Sequence, residues 1–183
     1  MGNKIEFYYP KSKLYVQDKE ITNPNQFTDV FSVPTKGRIL ALDLGTKKVG
    51  IAVSDELQIT TRPVCIITRK SWKKFLKEII NYLAEFDAKA LILGLPLESD
   101  GSESQMSTEA RRLARNFSLS IEVPVILQDE RVSTYQARGN LWKRGADEKQ
   151  MRENLDSEAA AIILQDFIDL RNHLLNLQPK KNI

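Results

Sequence analysis

An α/β fold, a five-stranded mixed sheet with helices on both faces, is predicted for residues 38–177 of this 183-residue chain. Three observations predict it. Three short apolar segments follow one another with only turns between them, so they pair as antiparallel neighbours. Two further apolar segments are reached through stretches of helical periodicity, so they join the sheet in parallel. Runs such as Leu40-Ala41-Leu42 and Leu91-Ile92-Leu93 lack polar alternation, the pattern of strands covered on both faces.

Residues 1–37 stand apart. They are polar and aromatic, with turn signals at Asn23-Pro24-Asn25 and around Pro34 and Gly37, and are expected to form an extension, partly disordered or draped on the domain. The domain opens with a strand over 38–43. Gly45-Thr46-Lys47-Lys48 then turns the chain into a second strand over 49–53, where Val49, Ile51 and Val53 alternate with Gly50 and Ala52. A turn at 55–58 leads to a third strand over 59–67. Pro63 cannot donate to a ladder, which puts this strand near an edge.

A helix over 71–86 follows from Trp72, Phe75, Leu76, Ile79, Leu83 and Phe86 at helical spacing. Residues 90–95 form the fourth strand and 123–127 the fifth. The helix between them carries Met106, Ala110, Leu113, Ala114 and Phe117, and Ser102 with Gln105 is its expected capping box. A further helix is predicted from 133 or 134 to Gly145, a stop signal. The last helix starts near Asn154 or Asp156 and carries Leu155, Ala159, Ala160, Ile163, Phe167 and Leu170. Residues 178–183 are a polar tail.

Composition narrows the chemistry. The single cysteine, Cys65, rules out an internal disulfide and paired-cysteine metal sites, and fits a reducing cytoplasm. The single histidine, His173, leaves no histidine-rich zinc site and would have to serve any Ser-His-Asp arrangement; it is assigned no role. No stretch has the character of a secretory signal or the length to cross a bilayer, so a cytoplasmic protein with no membrane partner is expected. A net charge of +3 is compatible with nucleic acid without demonstrating it.

Chemistry must then come from oxygen ligands and cations. Asp43 closes the first strand, Asp129 and Glu130 close the fifth, and Asp156 opens the last helix. Carboxylates gathered at one sheet edge repel one another unless a cation joins them, and hard ions such as Mg²⁺ or Mn²⁺ take oxygen ligands of this kind. Each acid has a plainer explanation alone: Asp43 a turn former, Asp129 or Glu130 a surface partner of Arg131, Asp156 a helix cap on the Ala159 amide. The case rests on all of them together at element ends. Lys47, Arg131, Lys143 and Arg144 are candidates for phosphate contacts, against the alternative of a solvated basic face.

Four blocks then resemble one family in colinear order. They are Ala41-Leu42-Asp43-Leu44-Gly45-Thr46-Lys47 with Val49-Gly50-Ile51-Ala52-Val53-Ser54-Asp55; Gly94-Leu95-Pro96-Leu97 with Asp100-Gly101-Ser102-Glu103; Asp129-Glu130-Arg131 with Ser133-Thr134; and Leu155-Asp156 with Ala159-Ala160 and Ile163-Leu164-Gln165. Across roughly residues 38–171 the chain resembles the YqgF (RuvX) family. The resemblance implies an RNase H-like fold and a metal-dependent nuclease. Either 5′-end processing of pre-16S rRNA in ribosome biogenesis, the favoured reading, or resolution of Holliday junctions would be its activity. It implies Asp43, Glu130 and Asp156 as catalytic and metal-holding acids, with Asp129 in reserve, and Mg²⁺ or Mn²⁺ as cofactor. Other junction resolvases of this fold carry a glutamate at the end of the fourth strand, where this sequence has Gly94-Leu95-Pro96 and only Glu98 nearby.

The expected partner is structured RNA ahead of branched DNA, bound by a monomer or homodimer. One rival is an actin-like ATPase, since Asp43-x-Gly45-Thr46 also resembles a phosphate-binding hairpin; the chain is short for two lobes and has no adjacent glycine pair. The other is a module that binds nucleic acid or an assembly partner without cutting, which fold alone does not exclude.

Overall fold

The computed structural model describes residues 30–98, 100–129 and 148–177, with the backbone alone for 148–156. Strands β1 (Leu40–Leu44), β2 (Lys48–Ser54), β3 (Thr61–Thr68), β4 (Leu91–Leu95) and β5 (Val125–Asp129) form one sheet in the order β3-β2-β1-β4-β5. The β1–β2 and β2–β3 pairs are antiparallel, and β1–β4 and β4–β5 are parallel. This is the predicted mixed sheet, three antiparallel strands and two parallel ones. The predicted helix at 133–145 lies outside the described residues.

Helices α1 (Trp72–Glu85) and α2 (Gln105–Ser118) cover one face, and α3 (Glu148–Leu177) covers the other. On β1, Leu40, Leu42 and Leu44 point to the first face, where they meet Phe75, Ile79, Leu113 and Phe117. Ile39 and Ala41 point to the second, where they meet Ile163, Leu164, Phe167 and Ile168. The first face is closed by aromatic edges: the Trp72 and Phe75 rings lie 4.9 and 5.5 Å from Phe117, contacts that add about 0.5–1.5 kcal/mol each beyond area burial.

Pro63 sits on the edge strand β3 opposite Ala52, beside a bulge at Ile51/Ala52, where its missing N–H leaves no ladder bond broken. In the β1–β2 turn, a Cβ on Gly45 would come within 2.7 Å of the Lys48 carbonyl oxygen, so the tight hairpin requires glycine there.

Three expected boundaries move. The helix α2 is capped by Ser104 with Ser107, not by Ser102 with Gln105: the Ser104 hydroxyl accepts from the Ser107 amide at 3.1 Å and Ser107 Oγ accepts from the Ser104 amide at 3.0 Å. Two serines complete the box as a serine and glutamine would, which the pattern S-x-x-Q hides. Strand β5 runs on to Asp129, so Gln128 and Asp129 are ladder residues and not loop. The last helix begins by Glu148, so Asp156 is interior to α3 and the Ala159 amide is served by the helix itself.

The extension is tied down from Val30 onward. Val30 and Val33 are buried against α3 and the sheet. The buried Arg171 donates to the Pro34 carbonyl at 3.1 Å and to Gln58 Oε1, and its guanidinium lies over the Phe167 ring. Among the described residues no helix is long and apolar enough to cross a membrane.

Candidate functional site

The site is best built from the C-terminal ends of β1, β4 and β5. Side chains alternate along a strand, so Asp43 shares the face of Ala41, the α3 side. It is half-buried and pairs with Gly50, a residue without a side chain to compete for that space. One step beyond the Leu42–Leu93 pair lies Gly94, which is itself opposite Gln128. Asp43, Gly94 and Gln128 therefore form one cross-strand row on the α3 face. Gln128 is fully buried; its Nε2 reaches the Asp129 carbonyl at 3.3 Å, and its Oε1 has no hydrogen-bond partner.

Asp129, in register with Leu95, continues the alternation of Val125 and Leu127 and so belongs to the opposite face. It is buried, at 5% exposure, which removes the reading of it as a solvated surface acid. Asp166 on α3 has its carboxyl pushed up to about 6, first by desolvation and then by the charges of Asp169 and Asp129.

Helix α3 has a defined direction over the sheet. Ala160 and Ala161 pack on Ala52, the register partner of Ala41, while Ile168 reaches Ile39 and Arg171 reaches the segment before β1. The helix therefore starts toward the C-terminal end of β1. Asp156 lies one turn before Ala160, about 6 Å along the axis, and Asp43 lies two residues beyond Ala41, about 6–7 Å along the strand. Position 156 thus precedes the turn of α3 that packs on the face bearing Asp43. Glu130, Arg131, Lys143 and Arg144 lie outside the described residues, as does the side chain of Asp156.

The hairpin turn beside Asp43 exposes Thr46, Lys47 and Lys48. Arg69 fixes this turn: its amide donates to the Lys47 carbonyl at 2.8 Å, Nη1 donates to the Gly45 carbonyl at 3.3 Å, and Nη2 meets Glu109 Oε1 at 2.5 Å. Glu109 also takes two bonds of 2.8 Å from Arg112. Arg112 and then Arg69 hold the Glu109 carboxyl down at about 2, against the opposing effect of burial. The sequence pattern missed this network, because a pairing 40 residues apart has no local signature. It missed Gln128 as well, although one amide inside Val125-Ile126-Leu127-Gln128 was a visible anomaly.

Whether these residues suit a divalent cation can be judged from their donors. Asp43 offers a carboxylate, and Gln128 offers an orphaned amide oxygen in the same row. Both are hard oxygen donors of the type Mg²⁺ and Mn²⁺ take. Among the described residues no group of three or more His, Cys, Asp or Glu gathers around one point, so a complete shell needs acids from beyond them. The residues present fit the group. A surface cavity of about 520 Å³, lined by Arg38, Ser54, Asp55 and Arg62 among others, lies at the other end of the sheet, and Asp55 is engaged there by the Ile59 and Thr60 amides. No orphaned polar group faces it among the described residues, so the chemistry is not assigned to it.

Comparison with known proteins places the chain in a family. A family model described as RuvX, Holliday junction resolvase, matches residues 37–170. A protein of Anaeromyxobacter sp. (strain Fw109-5) named "Putative pre-16S rRNA nuclease" is 37% identical over 135 residues, 74% of this chain and 98% of its own length. One of Myxococcus xanthus with the same name is 38% identical over 132 residues, 72% of this chain and 87% of its own. Among solved structures, the fowlpox virus Holliday junction resolvase aligns with 73% of this chain and 99% of its own at 13% identity and a TM-score of 0.45.

Proposed function

The chain belongs to the RuvX family of Holliday junction resolvases, and from that membership we propose that it is a divalent-metal-dependent nuclease whose main substrate is the 5′ end of pre-16S rRNA. The observation that supports this reading is the packing of α3 on the sheet face that bears Asp43, with Ala160 and Ala161, one turn after position 156, against Ala52. Asp43, Glu130 and Asp156 are the acids proposed to hold Mg²⁺ or Mn²⁺, with Asp129 in reserve. When bound, such an ion supplies positive charge against the charge that develops on a phosphodiester as it is cut.

The chain's own residues have definite tasks. The half-buried setting of Asp43 limits water around its carboxylate and keeps it oriented by the β1–β2 ladder. Lys47, exposed in the turn that Arg69 braces, meets the phosphate backbone, and Arg131, Lys143 and Arg144 are proposed to extend that contact. Phosphate contacts of this sort set register and make binding fall with salt. The preference for RNA follows the relatives' names. Holliday junction cleavage, which the family description supports, is the second reading. It would require a two-fold pair of protomers to nick two strands, while trimming one RNA end would not. A cytoplasmic location accords with either.

A cleavage assay decides between them. Pre-16S rRNA and a four-way DNA junction are offered side by side with Mn²⁺, Mg²⁺ or chelator, to wild type and to Asp43→Asn. Cutting of the RNA by wild type alone, abolished by chelator, is expected. Cutting that survives the substitution sinks the metal-site reading, and junction cutting without RNA cutting selects the second substrate.

A further inference from the structure

We propose that Gln128 is a further positioning residue of the cation site, its amide oxygen, in the row of Asp43 and Gly94, holding the hydration shell of the ion from outside the acids that ligate it. The inference rests on the cation site proposed above. Its own evidence is separate and lies in the sheet.

Gln128 is fully buried, and its Oε1 is one of only two buried side-chain polar atoms without a hydrogen-bond partner among the described residues. A buried amide oxygen left unpaired costs on the order of 1–3 kcal/mol, so such groups mark a missing partner more often than an idle defect. The alternation that puts Ile126 against α3 puts Gln128 on that face too, and the same alternation takes Asp43 there from Ala41. Between them stands Gly94, which contributes no side chain. Two strand spacings, about 10 Å, separate the Asp43 and Gln128 backbones. Asp43 and Gln128 thus flank a position that carries no side chain of its own. The Nε2 contact with the Asp129 carbonyl fixes the amide's orientation, since a flip would set two oxygens against each other, so the unpaired atom is the oxygen.

Binding of Mn²⁺ alone to the full chain, followed by titration calorimetry and by the electron paramagnetic resonance signal of the free ion, tests this without reference to cutting. Four proteins are compared: wild type, Gln128→Leu, Gln128→Glu and Asp43→Asn, each checked for folding by circular dichroism. Loss of an outer ligand of this kind weakens metal affinity by roughly 10-fold or more. The expected order is Gln128→Glu tighter than wild type, Gln128→Leu weaker by about that factor, and Asp43→Asn without measurable binding. Should Gln128→Leu fail to fold, Gln128→Glu still decides, because unchanged affinity there overturns the proposal. If both Gln128 variants bind like wild type while Asp43→Asn does not, Gln128 plays no part and the cation site stands. If Asp43→Asn binds like wild type, the cation site itself is refuted and this inference goes with it.

Discussion

The two faces of the sheet are built to different rules. Toward α1 and α2, β1 presents Leu40, Leu42 and Leu44 to large apolar partners. Toward α3 the same strand presents Ile39, Ala41 and Asp43, and the partners include Ala160, Gln128 and Arg171. The first face is a packing surface. The second is thinner in apolar volume, keeps buried polar groups, and meets α3 through alanines that let the backbone come close. Stability and chemistry are thus divided between adjacent residues of one strand.

The sharpest way to test that division is to change neighbours. Asp43→Asn should lower cleavage by at least about 100-fold, since even supporting residues of metal sites are worth 10–100-fold, and should leave the melting temperature within a few degrees of wild type. Leu42→Ala should do the reverse. It removes a fully buried side chain and costs about 2–5 kcal/mol of stability, with cleavage per folded molecule preserved. Calorimetry and cleavage on both variants check the pair. Equal stability losses would show that the two faces are not separable.

This contrast also explains what was legible in the sequence. The α1/α2 face was read almost completely, because Phe75, Ile79 and Phe117 recur at helical spacing and the strands are short apolar runs. Strand directions followed from the connections, while the order β3-β2-β1-β4-β5, with β4 beside β1, was seen only in the structure. Asp43 was legible because an acid ends an apolar run before a glycine. The start of α3 was misplaced by at least six residues: Glu148-Lys149-Gln150-Met151 carries no apolar stripe, so periodicity was silent there. Gln128, Glu109 and Arg69 were passed over, since their importance depends on partners far along the chain.

A second test sits at the far end of the α3 face. Arg171 is buried to 1% exposure and draws Gln58 and the Pro34 carbonyl to α3. Gln58 in turn donates to the Pro34 and Gly37 carbonyls at 2.9 and 2.7 Å. Arg171→Met should keep the apolar stem and lose the bonds, leaving acceptors unpaired at a cost of about 2 kcal/mol. Proteolysis should then reach the segment around residue 34 more readily than in wild type. An unchanged digestion pattern would separate Arg171 from the anchoring of that segment.

Asp166 offers a gain instead of a loss. Its carboxyl titrates at about 6 against an ordinary 3.8, because burial and the charges of Asp169 and Asp129 disfavour ionisation. The folded chain therefore holds a proton that the unfolded chain has released between those two values. The stability this gives is complete below pH 3.8 and disappears as pH rises through 6. At pH 7 the charged carboxylate is a burden, and Asp166→Asn should raise stability by about 2 kcal/mol. The gain should vanish near pH 4, which urea melts at the two pH values will show.

The smallest effect comes from the other face, and its sign is opposite. Glu109 titrates at about 2 against an ordinary 4.5, held down first by Arg112 and then by Arg69. Here the unfolded chain takes up the proton first, so the contribution is present above pH 4.5 and is lost as pH falls toward 2. The side chain is one quarter exposed, and solvent screening reduces the value to about 1 kcal/mol. Glu109→Gln should cost that much at pH 7 and almost nothing near pH 2. The network also carries Arg69 to the Gly45 carbonyl, next to Asp43. The variant should therefore loosen the hairpin turn, seen as faster amide exchange across Gly45-Thr46-Lys47, while Leu42 and its neighbours stay protected. Exchange that quickens equally on both sides of β1 would mean that the turn and the packed face move together, and the division of labour between them would have to be abandoned.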